Sequence, residues 1–538
     1  MKKFIENFRF DLPASLVVFL VALPLCLGIA LASTGDETKL FSGIIAGVVG
    51  GVVVGIGSGS RLGVSGPAAG LITIVLSAIT TLGSFEYFLV AVVLAGVIQL
   101  ICGFLKAGVI GNYFPSSVIK GMLTAIGLTL ILKEIPHAFG YDADFMGDEA
   151  FFQVNGENTF SEILTALNKT NLGAILISFV SIGILILFER PFFQKIKLFK
   201  IIPGALFVVL LGIGLNILFK ANFSNLYLNS KHLVQLPKAT DWSHFLSFFT
   251  LPDFNALKNP QVYVVAFTIA LVASLETLLS VEATDKLDPE KKQTPKNQEL
   301  KAQGIGNIVS GMLGGLPITQ VIVRSSANIS AGGKSKFSAI FHGIFLFLAV
   351  LLIPNLINLI PLASLAAILL MVGYKLSKLS LYKQMYRLGW DQFLPFIATI
   401  IAILFTDLLK GIGIGMLFAL FFALYNKSEK FNSHKEVIKY FFLFFIKRDY
   451  HKNISFEKNH KSVKFIFINK ISFLNKKKFI KMINDVPIEN QLIIDGSNFK
   501  KIDFDILEVI QHFKNHMAKD KGIEMITIGI PEVKNLNH

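Results

Sequence analysis

Fourteen apolar segments, separated by short polar stretches, make up most of the sequence between residues 12 and 426. Several are shorter than the roughly 20 residues that a membrane-spanning helix needs. Only 16% of the chain is charged, whereas a soluble protein has about 25%. The pattern predicts a polytopic α-helical membrane protein. The segments lie at about 12–32, 40–57, 64–81, 86–105, 113–133, 171–189, 202–219, 261–283, 300–314, 320–331, 337–353, 361–373, 391–407 and 411–426.

The net charge of +15 is distributed unevenly along the chain. Lysine and arginine are concentrated in the loops after the even-numbered segments and in the C-terminal tail, whereas the loop at about 136–170 is acidic. Cytoplasmic loops carry the excess of basic residues. We therefore expect a multi-pass protein of the cell inner (plasma) membrane, with both termini in the cytoplasm. Topology and contact with anionic lipid explain the charge better than nucleic acid does.

The segments form two halves, about 12–219 and 261–426, with seven segments each. An odd number reverses the second half relative to the first, and such inverted repeats are typical of transporters. The third segment of each half is interrupted by glycine and proline, at Leu62–Gly70 and at Gly314–Arg324. Paired breaks of this kind predict a binding site between the two halves.

A helix that begins at each break would present unsatisfied backbone N–H groups and a partial positive charge to that site. Two such helix starts can hold an anion without a charged side chain. Arg324 would add fixed positive charge beside the second start. The predicted backbone donors belong to Ala68, Ala69, Gly70, Val321, Ile322 and Val323.

Glu276 lies within the apolar run 262–280. A carboxylate at that depth costs about 2.5–3.5 kcal/mol on insertion scales, so it indicates a functional site. An ionised carboxylate repels a neighbouring anion. We therefore expect Glu276 to carry a coupling proton, or to bind Na⁺ together with Ser280 one helical turn away.

After about residue 431 the sequence becomes lysine-rich and its apolar runs shorten. Residues 463–468, 491–495 and 524–528 read as strands and 502–518 as a helix, which predicts a small α/β domain. Cys26 and Cys102 both lie in apolar segments, and we expect neither a disulfide nor a metal site. No grouping of residues indicates an enzyme or a cofactor other than the coupling ion.

Several motifs resemble the SulP family of anion permeases, which includes prestin and the cyanobacterial bicarbonate transporters. They are Ala22-Leu-Pro24, Ser65-Gly-Pro67, Ser274-Leu-Glu276, Gln303-Gly-Ile-Gly-Asn307, Arg324-Ser-Ser-Ala-Asn328 and Ile360-Pro-Leu-Ala-Ser-Leu-Ala-Ala-Ile368. The resemblance implies a seven-plus-seven inverted repeat shared with uracil permeases, with core and gate domains that move as an elevator. It also implies a homodimer and a cytoplasmic STAS domain, which gives boundaries of 1–430 for the membrane domain and 440–538 for STAS.

Carried over by position, the resemblance implies that the anion, bicarbonate or sulfate, binds near Ala68 and Val321–Val323, and that the coupling ion binds at Glu276. Many sulfate-type members have glutamine at the position of Leu25, so Cys26 is left as a weak polar substitute in the first helix. In the STAS region, Phe504 and Asp505 take the place of the serine that is often phosphorylated.

Three other functions are compatible with these residues. One is an uncoupled anion exchanger or a channel-like member of the family. Another is a nucleobase or organic-anion permease of the same fold, although Arg324 beside two helix starts suits an inorganic anion better. The last is a membrane sensor that signals through its STAS domain.

Overall fold

The computed structural model describes residues 2–146, 151–153, 156–194, 203–428, 454–458, 462–471, 473–487, 491–518 and 521–530. The chain divides into two compact units. The first comprises Met1–Gly108, Leu123–Lys378 and Ile403–Leu409, and the second comprises Val109–Met122, Leu379–Ala402 and Lys410–His538.

In the described part of the first unit, the regular secondary structure is helical apart from two short strands, β1 (Ser65–Pro67) and β2 (Ile318–Gln320). Helix α2 continues through a π-helical turn at Gly50–Val54. The described helices of this unit with nine or more residues are α1 (Lys2–Thr34), α2 (Phe41–Val49), α3 (Ile72–Leu82), α4 (Phe85–Phe104), α5 (Ser116–Phe139, whose first turns belong to the second unit), α6 (Thr159–Asn168), α7 (Leu172–Phe188), α8 (Gly204–Asn222), α9 (Pro260–Leu287), α10 (Lys296–Leu313), α11 (Ile322–Ser330), α12 (Phe337–Leu352) and α13 (Leu362–Leu376).

The second unit contains the four-stranded sheet β3 (Ile454–Lys458), β4 (Ser462–Ile471), β5 (Gln491–Ile502) and β6 (Glu524–Ile528), in that order. Strands β3 and β4 are antiparallel, and the other neighbours are parallel. Phe467, Phe479 and Leu492 lie in the core of this α/β fold. The helices that belong wholly or mostly to this unit are α14 (Leu379–Arg387), α15 (Trp390–Phe405), α16 (Leu408–Ser428), α17 (Lys476–Asn484) and α18 (Phe504–His512).

Each of the fourteen predicted segments contains a helix, and the polytopic helical class is confirmed. Among the described residues, six helices are long and apolar enough to cross a membrane. The number is seven if the pair α6 and α7, bent by 114°, counts as one span. The two segments interrupted by glycine and proline are each a short strand followed by a helix, which explains why neither is a full span.

The α/β region departs from its prediction in two places. The helix expected over 502–518 begins at Phe504, because the Asp503 side chain accepts a hydrogen bond from the Asp505 N–H and caps it; Ile502 ends β5. Strand β3 and helix α17 were not predicted. The predicted boundary between 430 and 440 lies outside the described residues, so both domain limits stay predictions.

Helix α1 is the most buried of the six spans and packs against α2, α11 and α12. Glycines let other helices approach closely around it. A Cβ atom at Gly96 in α4 would lie 2.6 Å from the carbonyl oxygen of Gly304 in α10, and one at Gly304 would lie 2.7 Å from that of Gly96. Such small-residue contacts hold membrane helices together without polar side chains, so α4 and α10 pack closely against each other.

Candidate anion site

The two interrupted segments meet through their strands. Strand β1 pairs antiparallel with β2, with Ser65 opposite Gln320 and Pro67 opposite Ile318. The pair extends at one end, where the Val321 N–H donates to the Val64 carbonyl at 3.0 Å. Parts of the chain about 250 residues apart are therefore joined by backbone hydrogen bonds at the positions where the sequence predicted paired breaks.

A helix starts directly after each strand. Ala68 is extended and leads into a single 3₁₀ turn, Ala69–Leu71, before α3, and Val321 is extended and leads into α11. Neither alanine nor valine has a side chain that can cap a helix. The first amides of both helices therefore have no side-chain cap. Uncapped amides at a helix N-terminus are the groups that bind anions.

The Val321 amide is an exception among the predicted donors. Its N–H is already bonded to Val64, so the second helix start offers the amides of Ile322 and Val323 instead. On the first side, Ala69 and Gly70 follow the extended Ala68. The other predicted donors lie at the two helix starts, as the sequence indicated.

Arg324 is buried in the first turn of α11, with 1% of its surface exposed. Its Nη2 donates to Sγ of Cys26 in α1 at 3.3 Å. A Cβ atom at Gly66 would collide with Nη1 and would lie 2.9 Å from Cζ, so the guanidinium lies directly against β1. Within the described part of the chain, Nη1 has no hydrogen-bond partner. The arginine therefore places a positive charge at the start of α11 and against strand β1.

Cys26 is fully buried, and its neighbour across the helix interface is Gly47 of α2. A Cβ atom at Gly47 would lie 2.7 Å from Sγ of Cys26. The thiol was predicted as a weak substrate contact. In this structure its polar contact is Arg324, so it helps to position that side chain.

Glu276 lies on α9 and faces the first helix start. A Cβ atom at Gly70 would lie 3.2 Å from Oε2 and 3.3 Å from Oε1 of the carboxylate. Glu276 is 5% exposed. The missing side chain at Gly70 therefore lets a carboxylate approach the backbone where the anion was predicted to bind.

Ser280 is buried one turn beyond Glu276 on the same helix. Its carbonyl oxygen accepts a hydrogen bond from the Thr284 hydroxyl at 2.7 Å. Since α9 is continuous from Pro260 to Leu287, both residues are held on one rigid element.

A buried amide network, which sequence reasoning missed, supports β2. The Asn307 side chain accepts from the Ile318 N–H at 2.6 Å and donates to the Ile318 carbonyl at 3.0 Å and to Oε1 of Gln99 at 2.7 Å. Gln99 in turn donates to Ser274, two residues before Glu276. Isolated Asn and Gln residues inside apolar segments were the signal that could have identified this network.

Other polar side chains hold the two strands from the outside. Gln303 donates to the Ser65 hydroxyl at 2.7 Å, and Gln320 donates to the Thr284 hydroxyl at 3.0 Å. All four residues are buried. Strand β1 is therefore tied to α10, and strand β2 is tied to the helix that carries Glu276.

A second buried group of charges lies at the end of α5. Asp142 contacts both His137 and His232 at 2.6 Å, while Lys133 lies 3.4 Å from Asp144 and 4.0 Å from Glu162. We call these six residues the His–Asp cluster. Burial acts to raise the pKa of Asp142, but the hydrogen bonds from the two histidines outweigh it, so the pKa lies below its ordinary value.

A cavity of about 250 Å³ borders the His–Asp cluster. Pro24 and Gly28 of α1 line one side, and residues 142–146 line the other. Pro24 lies two residues before Cys26, so the cavity reaches α1 close to the arginine contact.

The fold matches solved membrane transporters. The transmembrane domain of a cyanobacterium bicarbonate transporter BicA aligns with a TM-score of 0.51 at 21% identity, over 77% of this chain and 97% of that one. The overall structure of SLC26A9 aligns with a TM-score of 0.56 at 15% identity, over 98% and 85%. The architecture is therefore that of a helical membrane transporter followed by an α/β region consistent with STAS.

The sequence comparisons identify the family. Residues 8–399 match the sulfate permease family. The chain is 29% identical to the putative sulfate transporter YvdB of Bacillus subtilis, over 80% of the chain and 76% of the relative. It is 25% identical to the bicarbonate transporter BicA of a Picosynechococcus species, over 77% and 70%. The protein belongs to the sulfate permease family, whose members are anion transporters and not enzymes.

Proposed function

We propose that this protein carries a small inorganic anion, bicarbonate or sulfate, across the cell inner membrane as a secondary active transporter. The observation that carries the proposal is the pairing of the two strands that lead into the uncapped helix starts, with the buried guanidinium of Arg324 against one of these strands. Helix N-termini favour negative charge, and a buried arginine strengthens that preference in a low-dielectric site. Relatives named as sulfate and bicarbonate transporters support the same two anions.

The anion binds between the start of α3 and the start of α11. Ala68, Ala69 and Gly70 contribute from one side, and Ile322 and Val323 from the other. Backbone amides arranged in this way suit a compact oxyanion, because they recognise its negative charge and its size. They do not offer the side-chain donors and acceptors that would recognise the edge of a heterocycle. That argues against a nucleobase as the substrate.

Glu276 couples transport to a cation. Its carboxylate lies against Gly70, where a bound anion would repel it if both were charged. A proton on Glu276, or Na⁺ held by Glu276 and Ser280, removes that repulsion, so anion and cation bind together. The site then moves as one body in an elevator motion, within a homodimer whose C-terminal domain is cytoplasmic.

The test is uptake of radiolabelled bicarbonate and sulfate into proteoliposomes under an imposed pH gradient or Na⁺ gradient. Wild type is compared with Glu276→Gln, with Glu282→Gln as the matched control. Glu282 lies on the same helix but pairs with Lys296 at 2.6 Å. We expect uptake driven by one gradient in wild type and in the control, and loss of that coupling in Glu276→Gln.

The alternative is an uncoupled exchanger or a channel-like protein. It predicts anion flux that no cation gradient drives and that Glu276→Gln leaves unchanged. Counterflow against internal anion would then identify exchange, and current recordings would identify conduction. If neither anion enters under any gradient or exchange condition, the proposed substrates are wrong.

A further inference from the structure

The first residue of α5 is bonded to a side chain from the C-terminal α/β fold. The Ser116 N–H lies 3.1 Å from both carboxylate oxygens of Asp505, and its hydroxyl lies 2.8 Å from Oδ1. Asp505 is in the first turn of α18 and is fully buried. Both residues belong to the second compact unit. A membrane-segment helix therefore takes its cap from a residue 389 positions away.

This cap has clear physical consequences. The first amides of a helix lack partners within the helix, and a carboxylate at that end also interacts favourably with the helix dipole. A buried carboxylate in turn needs donors, and Ser116 supplies two of them to Asp505. Separation would remove the Ser116 donors from Asp505 and the Asp505 acceptor from the first amide of α5, so the contact stabilises both helices.

Two charged residues, Lys476 and Glu508, lie beside the contact between Ser116 and Asp505. Lys476 of α17 lies 3.4 Å from Oδ1 of Asp505. Oε2 of Glu508 lies 2.7 Å from the Ser116 hydroxyl. A hydroxyl has one proton and donates to one acceptor at a time. Asp505 is the carboxylate that also accepts from the backbone amide, so it is the principal anchor.

Two further contacts widen the junction. The ammonium of Lys120, one turn into α5, lies 4.7 Å from the ring centroid of Phe504, which is a cation–π distance. Nε2 of Gln392 in α15 donates to Asp503 at 3.1 Å. The beginning of α18 thus contacts residues of two membrane-segment helices through side chains that depend on charge and orientation.

We propose that the start of α18 is the docking element by which the C-terminal domain controls anion transport, with Asp505 as the cap that fixes the start of α5. Helix α5 is continuous from Ser116 to Phe139, so release of its first turn disturbs a helix of the transporter itself. Loss of the cap lowers the transport rate. Asp505 is a positioning residue, because it contacts α5 and not the anion.

The experiment uses the full-length protein and three variants of the junction. Asp505→Lys reverses the charge at the cap, Ser116→Glu opposes Asp505 with a second carboxylate, and the double variant restores opposite charges. Asp485→Lys is the matched control, since Asp485 is exposed in the same domain. Initial uptake is measured in proteoliposomes for the anion that wild type carries. Hydrogen exchange of the first-turn amides of α5 is measured in the same preparations.

Each single variant should lower uptake by about fivefold or more, at the low end of common coupling between sites. It should also speed exchange at Ser116–Val118, whereas the control matches wild type and the double variant recovers both. Unchanged exchange in Asp505→Lys, an equal loss in Asp485→Lys, or no recovery in the double variant would overturn the proposal. If wild type carries neither bicarbonate nor sulfate, exchange alone decides the docking contact.

A milder set of variants covers the case in which charge reversal prevents folding. Asp505→Asn and Ser116→Ala each weaken the cap without adding a charge. Their effects on uptake and on exchange should be non-additive when combined, because both act on the same contact. Additive effects would mean that the two residues act independently, and the proposal would then be wrong.

Discussion

The guanidinium of Arg324 occupies the space that a side chain at position 66 would need. A Cβ atom at Gly66 would meet Nη1 and lie 2.9 Å from Cζ. The arginine is on α11 and the glycine is on β1, so the two interrupted segments interlock through a charge on one and a missing side chain on the other. The position of the charge therefore depends on a residue that has no functional group.

Gly66→Ala should impair transport without removing any charged or polar side chain. The added methyl group displaces the guanidinium, and we expect uptake to fall by at least about tenfold, equivalent to roughly 1.4 kcal/mol. Proteoliposome uptake measures the effect. Gly183→Ala in α7 is the control, since a Cβ atom there meets no atom of the described structure within 4 Å. Equal uptake by Gly66→Ala and Gly183→Ala would contradict the inference that the Arg324 side chain needs the space at position 66.

Asn307→Ala should destabilise the protein through β2. The substitution leaves the Ile318 N–H and carbonyl without their side-chain partner, and each buried unsatisfied group costs about 1–3 kcal/mol. The unfolding temperature in detergent should therefore fall well below that of Asn255→Ala, which changes the same residue type at an exposed position. A shift no larger than that of the control would show that the amide network is dispensable.

Asp142→Asn should weaken the His–Asp cluster in a pH-dependent way. The pKa of Asp142 lies below its ordinary value because the two histidines outweigh the effect of burial. The carboxylate thus contributes stability at pH values above the ordinary aspartate pKa of about 4, and that contribution is lost as the pH falls through the depressed pKa. Removing one partner of a buried pair costs up to about 3–5 kcal/mol.

Thermal unfolding of the wild type and of Asp142→Asn near neutral pH and in acid checks this expectation. The difference in unfolding temperature between the wild type and Asp142→Asn should become smaller as the pH falls. Asp253→Asn serves as the control, because asparagine caps a helical turn as well as aspartate does. A gap that stays constant with pH would mean that the charge of Asp142 does not stabilise the cluster.

The stability that Asp503 contributes should change with pH in the opposite direction to that of Asp142. Burial, and then the charge of Asp505, raise the pKa of Asp503 above its ordinary value. Stability from this group is complete below pH about 4 and is lost as the pH rises through the raised pKa. Asp503→Asn keeps an acceptor for Gln392 but removes the charge, so the variant should gain stability relative to wild type at neutral pH.

Hydrogen exchange in β5 and α18 as a function of pH measures this local effect. Asp495→Asn gives a comparison of opposite sign, because hydrogen bonds from Lys464 and Ser497 lower the pKa of Asp495. If the exchange rates of wild type and Asp503→Asn change with pH in parallel, a buried charge at Asp503 does not cause the pH dependence.

Much of the helical framework was predictable because the length of an apolar run and the capping residues at its ends can be recognised from neighbouring positions in the sequence. Helix α9 begins at Pro260, where the Asn259 side chain caps it and proline suits the first turn, and the sequence placed its start within one residue. Polar helices escaped prediction. Helices α6 and α14 are too short and too polar to be recognised by apolar length, although the Asn158 capping box marks the first of them.

The geometry at the two breaks was predictable in outline and not in detail, and the anion site itself stays a prediction. The paired glycine–proline breaks indicated where the two helix starts meet, but the register that uses the Val321 amide depends on pairing between distant strands. The contact of Cys26 with Arg324 spans 298 residues, and no local pattern encodes it. The His–Asp cluster likewise unites residues of two helices, α5 and α6, and of two loops, and in the sequence each of these charged residues looks like a solvated position.

The pairing of β1 with β2 has a consequence for selectivity. Backbone hydrogen bonds join the two strands that lead into the helix starts, so neither start can shift without the other. In the proposed anion site, the amides on the two sides would therefore keep one spacing throughout the transport cycle. In the proposed carrier, the direction of transport is then set by concentrations and gradients, and the selectivity for anions rests on a spacing that three pairs of backbone residues maintain.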